Sequence, residues 1–137
     1  MADSIEPEVI PDADLLLNRV HYTQVNIEKK RVARAVFDKI NQSVDWAKYA
    51  KPQQTVARHK NPSTIWGVVS VTAEICRKLG QEVVHDPLGD HDPNGPNYAH
   101  SEIRGEKTNQ TLSRLRDAIV EVWENPLFIP RGKGPTP

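Results

Sequence analysis

The chain has 137 residues, 37% of them hydrophobic, and its 18 acids balance its 18 bases. That length suits one domain able to bury its own core, and a neutral total argues against strong non-specific DNA binding. No apolar run approaches the roughly 20 residues that span a bilayer, and a lone cysteine, Cys76, excludes an internal disulfide.

Residues 1–14 carry Asp3, Glu6, Glu8, Asp12 and Asp14 beside Pro7 and Pro11, and read as an acidic flexible arm. Its charge is the opposite of a secretory signal's, so with the unpaired thiol a cytoplasmic location is expected. Residues 15–21 then read as a first strand, with Leu15, Leu17, Arg19 and His21 on one face and Leu16, Asn18 and Val20 on the other. Residues 28–37 fit helix and strand equally. Residues 43–46 suggest a brief strand or turn, and Pro52 opens a short helix to Arg58.

The β-branched run 65–71 predicts a buried strand. Thr72 can cap the following helix, Ala73 to Leu79, and Gly80 stops it. A strand is expected over 81–85, an exposed loop over 88–97, and an alternating strand over 98–104. Thr108 then caps a long C-terminal helix to about Glu124, because Leu112, Leu115, Ile119, Val122 and Trp123 trace one apolar helical face. Residues 126–137, rich in Pro and Gly, are expected to be a mobile tail. The expected fold is therefore α+β: one small mixed sheet, flat or curled into a half-barrel, with a few packed helices over residues 15–125.

Charge is segregated. Residues 1–27 hold five acids and one base, whereas residues 28–60 hold nine bases and three acids. Within the basic segment Lys29, Lys30, Arg31 and Arg34, with Ser43 further on, are candidates for binding an anionic partner, and a solvated face is the plainer reading. The strand 98–104 supplies the best chemical candidates. His100 and Glu102 project from one face about 7 Å apart, a spacing at which a carboxylate can orient an imidazole. Arg19 needs either a carboxylate such as Glu102 or an external anion. His85, Asp86, Asp90, His91, Asp92 and His100 could together ligate a metal, but turn chemistry explains the loop acids better, and neither metal nor cofactor is expected. Cys76 reads as core filler.

The order Leu17-x-Arg19-Val20-His21, Ala35-Val36-Phe37, Ser43-Val44-Asp45, Val84-His85-Asp86-Pro87 and Asn97-Tyr98-Ala99-His100-Ser101-Glu102-Ile103 resembles a family of small bacterial proteins. Those have a "LYRR" strand, an "LSV" segment, a "DP" turn and an "NPAH" strand in that order. The resemblance spans residues 15–120 and implies a bacterial, cytoplasmic domain without carrying over an activity. Asn18 stands where a second arginine is usual, and Tyr98 where a proline is.

Two functions compete. One is an accessory protein that binds a protein or another anionic partner, with nucleic acid less favoured and no membrane. The other is a small enzyme whose cleft gathers Arg19, Ser43, His100 and Glu102. The order of those residues resembles ADP-ribosyltransferase-like domains, and a hydrolase or nuclease using His100 as base is the comparable outsider. Catalysis would then fall to Arg19, His100 and Glu102.

Overall fold

The computed structural model describes residues 6–93 and 95–130. Among these residues eight strands form: β1 Leu15–His21, β2 Val25–Asn26, β3 Arg31–Val32, β4 Asn41–Trp46, β5 Ile65–Thr72, β6 Glu82–His85, β7 His100–Arg104 and β8 Glu121–Glu124. Three short helices accompany them: α1 Pro52–Ala57, α2 Ala73–Lys78 and α3 Asn109–Asp117. Six strands make one sheet in the order β6-β7-β4-β1-β5-β8, every pairing antiparallel, while β2 and β3 pair as a separate hairpin.

This overturns the expected mixed sheet with a long C-terminal helix. The longest helix among the described residues has nine residues, and the segment expected to continue it is β8. The physical reason lies in residues 119–123, Ile-Val-Glu-Val-Trp, whose branched and aromatic side chains favour extended backbone. Their backbone groups find partners on the edge of β5, with Ser70 opposite Glu121 and Gly67 opposite Glu124. Gly67 permits that approach, because a Cβ there would stand 2.3 Å from the Trp123 carbonyl oxygen. Leu112 and Leu115 keep their helical face and are buried, Ile119 is packed only partly, and Val122 is 53% exposed.

Elsewhere local chemistry decides the element. Thr72 accepts from the Ile75 amide at the start of α2, and Gly80 follows that helix at φ +80°. The ambiguous residues 28–37 become β3 and a 3-10 turn at Arg34–Phe37, which buries Val36 and Phe37.

The sheet has two unlike faces. On one, Leu16, Val20, Val44, Trp46, Val69, Val71 and Ile103 form the main core with Phe37, Cys76, Leu112 and Leu115. On the other, Leu17, Val56, Ile65, Val68 and Ala99 form a smaller cluster under α1. Burial pushes the Cys76 thiol up to about 12, which fits inert packing rather than reactivity.

In the described part of the acidic arm, residues 6–14 lie against the domain. Ile10 is buried in the main core, and Asp14 accepts from the Trp46 indole at 2.9 Å. Asp12 meets Arg77 at 2.6 Å, and Glu8 accepts from both Tyr49 and Tyr98. Of the tail, Ile129 donates to the Ser63 carbonyl and Phe128 packs against the core, whereas 131–137 lie outside the described residues. Among the described residues no helix is long and apolar enough to cross a membrane.

Candidate functional site

The register that buries Leu16 against Val71 turns Leu17 and Arg19 to the opposite face. The same alternation in β4 and β7 turns Ser43, Asp45, His100 and Glu102 that way, with Asp45 opposite His100 and Ser43 opposite Glu102. β1 and β4 pair only at Leu16–Trp46 and Leu17–Asp45. Beyond that point side chains take over, the Gln42 amide donating to Asn18 Oδ1 at 2.8 Å while Asn18 donates to the Val36 carbonyl. Two adjoining cavities, of about 170 and 350 Å³, open on this polar face and share Arg19 and Ser43.

The smaller cavity is walled by α1 and by the 88–97 loop. At its side sits the buried carboxylate of Asp45. It accepts from Thr55 Oγ1 at 2.7 Å and from Asn97 Nδ2 at 2.9 Å, and it meets Arg58 Nη1 at 3.5 Å. Arg19 lies beside this group half-buried and donates through Nη1 to the Thr55 carbonyl at 3.0 Å. Among the described residues no carboxylate lies within ion-pairing distance of Arg19. Its pKa is held below the ordinary arginine range, first by burial and then by the like charge of Arg58, against the opposing pull of Asp45. His59, which lines the larger cavity, is likewise lowered by burial and by Arg19. Two guanidinium groups thus share one carboxylate, and the cavity carries an excess of positive charge.

His100 faces the same cavity. Its Nδ1 lies 2.8 Å from the Asp86 carbonyl oxygen and 3.8 Å from the Asp86 carboxylate. A carbonyl can only accept, so Nδ1 carries the proton in the neutral ring and Nε2 keeps its lone pair. Nε2 stands 3.4 Å from Ser43 Oγ, which is exposed.

Glu102, expected to serve Arg19 or to orient His100, is engaged otherwise. It accepts from Arg104 Nε at 2.7 Å, and Arg104 Nη2 also approaches Asp86 at 3.9 Å. Asp86, His100 and Glu102 present ligand atoms within 4.8 Å of one another, a set that a divalent cation could use. Arg104 already pairs with Glu102 and approaches Asp86, so a metal would have to compete with that guanidinium. His85, another member of the metal group weighed from sequence, is buried against Trp46. It accepts the Glu8 amide and bonds the Tyr98 carbonyl.

Arg19, Ser43 and His100 therefore meet, and Glu102 lies beside them. Lys29, Lys30, Arg31 and Arg34 do not line either cavity. They sit on the β2–β3 hairpin and the turn after it, where Lys30 pairs with Glu124 and Arg34 donates to Ser113. Sequence reasoning missed Asp45, Thr55, Arg58 and Asn97 as site residues. Asp45 and Asn97 did stand within the segments that carry the family resemblance. No family model, curated protein or solved structure matches the chain.

Proposed function

We propose that the protein binds a small anionic molecule, bearing a phosphate or carboxylate group, in the cleft between β1, β4, β7 and α1. One observation carries this reading. The Arg19 guanidinium is half-buried, borders a second guanidinium and has no counter-ion of its own among the described residues. A desolvated cation costs folding free energy unless something pairs with it, and a fork of N–H donors suits a phosphate or carboxylate. Asp45 supports the reading by fixing Arg58, while Thr55 and Asn97 fix Asp45.

Titration calorimetry with inorganic phosphate, a phosphate monoester and a dicarboxylate tests the proposal. Binding of at least one probe is expected, weakened about tenfold or more by Arg19→Gln, which corresponds to the loss of one charge-assisted contact. Wild-type affinity in Arg19→Gln, or no binding of any probe, would overturn it.

A second reading rests on a different surface. At the β2–β3 hairpin Ile27 is 42% exposed among Lys29, Lys30 and Arg31, a mixed apolar and cationic tip that suits an acidic protein partner. Such a partner should co-purify from host cells, dissociate with salt, and be absent with Lys29→Glu/Arg31→Glu. Co-purification that ignores both changes removes this surface from consideration.

A further inference from the structure

The geometry points to a hydrolytic activity at the same cleft: Ser43 as nucleophile and His100 as its base, acting on a carboxylic ester whose acyl part ends in an anion. This inference rests on the anion-binding reading, because Arg19 and Arg58 supply the grip on that anion. Three features place the pair. The Asp86 carbonyl holds the proton on His100 Nδ1, so the lone pair of Nε2 is the one presented to Ser43 Oγ, at 3.4 Å. The Asp86 carboxylate also lies 3.8 Å from Nδ1, the ring nitrogen turned away from Ser43. Ser43 is exposed at the cavity wall with Arg19 and Arg58 lining the same space, so a short ester gripped at its anionic end can reach Oγ.

The steps balance with water as the only co-reactant. Ser43 Oγ attacks the acyl carbon as its proton passes to His100 Nε2. The ester C–O bond breaks, and the departing alcohol takes that proton. Water then attacks the acyl-serine and gives one proton to Nε2. The acid leaves as the Ser43–acyl bond breaks, and the proton returns to Oγ. The products are one carboxylic acid and one alcohol.

The alternative use of these groups is weaker. A divalent cation on Asp86, His100 and Glu102 would have to compete with Arg104 for both carboxylates.

The test uses the full chain with mono-4-nitrophenyl adipate and, as its uncharged counterpart, 4-nitrophenyl hexanoate. Intact-protein labelling by a fluorophosphonate is read by peptide mass spectrometry. Expected are turnover of the adipate ester above buffer and a label on Ser43. Ser43→Ala and His100→Ala should each lose about a hundredfold or more in kcat. Arg19→Gln should raise KM for the adipate ester and leave the hexanoate ester unaffected. Ser43 is exposed, so Ser43→Ala keeps the fold, and a thermal melt of His100→Ala separates lost chemistry from lost structure. Turnover that survives Ser43→Ala, or neither turnover nor label in the wild type, overturns the inference. If phosphate or a carboxylate still binds in that case, the catalytic step alone has failed and the binding site stands.

Discussion

The two faces of the central sheet are built from the same strands and share almost no chemistry. Toward the main core β1, β4 and β7 send Leu16, Val20, Val44, Trp46 and Ile103, packed against α2, α3 and the 3-10 turn at 34–37. Toward the other face the alternate residues are Arg19, Ser43, Asp45, His100 and Glu102, covered only by α1 and one loop. A chain this small holds a polar cleft by giving the two faces different tasks. Hydrophobic burial is concentrated on one side, which fixes the strand register, and a slip by one residue would exchange core and site. The cleft face then holds its charged groups with modest apolar support of its own.

The division can be broken most severely from the core. Leu115→Ala, at a fully buried position under the sheet, should cost roughly 2–5 kcal/mol and lower the melting temperature with no direct effect on the cleft. An unchanged melt would show that α3 does not anchor the core face. On the cleft face the largest loss should come from Asp45→Ala. Thr55, Asn97 and Arg58 all lose their acceptor, a change expected to cost roughly 1–3 kcal/mol by denaturant unfolding. A cost well above that of Leu115→Ala would erase the distinction between the faces.

A smaller effect is expected from the strap of residues 6–14. Hydrogen bonds from Tyr49 and Tyr98 hold the Glu8 carboxyl down to about 2, against an ordinary value of 4.5. Because its folded pKa is depressed, its contribution is present above the ordinary value and fades as pH falls toward about 2. Glu8 is partly exposed to solvent, so the effect is screened. Acid release of the strap, followed by hydrogen exchange, should be missing from Glu8→Gln, which is already loosened at neutral pH. Identical acid limbs in the two proteins would remove Glu8 from the account.

The smallest change in stability should come from Arg19→Gln, within about 0.5 kcal/mol or in the stabilising direction. It removes a desolvated cation beside Arg58, and gives up the bond to the Thr55 carbonyl and the attraction of Asp45. A pronounced loss of stability would mean that Arg19 is structural, and the case for an anion site would fall with it.

Part of the cleft was legible in residues 15–21 and 98–104, where strand periodicity puts Arg19 on the face of Leu15 and Leu17 and His100 on the face of Glu102. Ser43 was legible only through its neighbours. Asp45 and Arg58 were not, because Arg58 is one of nine bases in its segment and its partner lies across a helix and a turn. Glu102 was placed on the correct face, but its pairing with Arg104 two residues along the same strand outcompeted the expected roles. Residues 119–124 were misread because an apolar spacing compatible with a helix also suits an edge strand, and the choice rested on β5.

The chain by itself determined what depends on neighbours in sequence. The alternation of β1 and β7, the Thr72 cap with its Gly80 stop, and the open loop between Pro87 and Asn97 all follow from local sterics and hydrogen bonding. Only the tertiary structure decided what depends on partners far away along the chain. It drew residues 6–14 onto the aromatic edge, converted 121–124 into a strand, and brought the Asp86 carbonyl to His100 and Thr55 to Arg19. The physical reason is the same in each case. A backbone edge or a buried charge takes the best partner that folding brings within about 3 Å, and that partner can lie anywhere in the sequence.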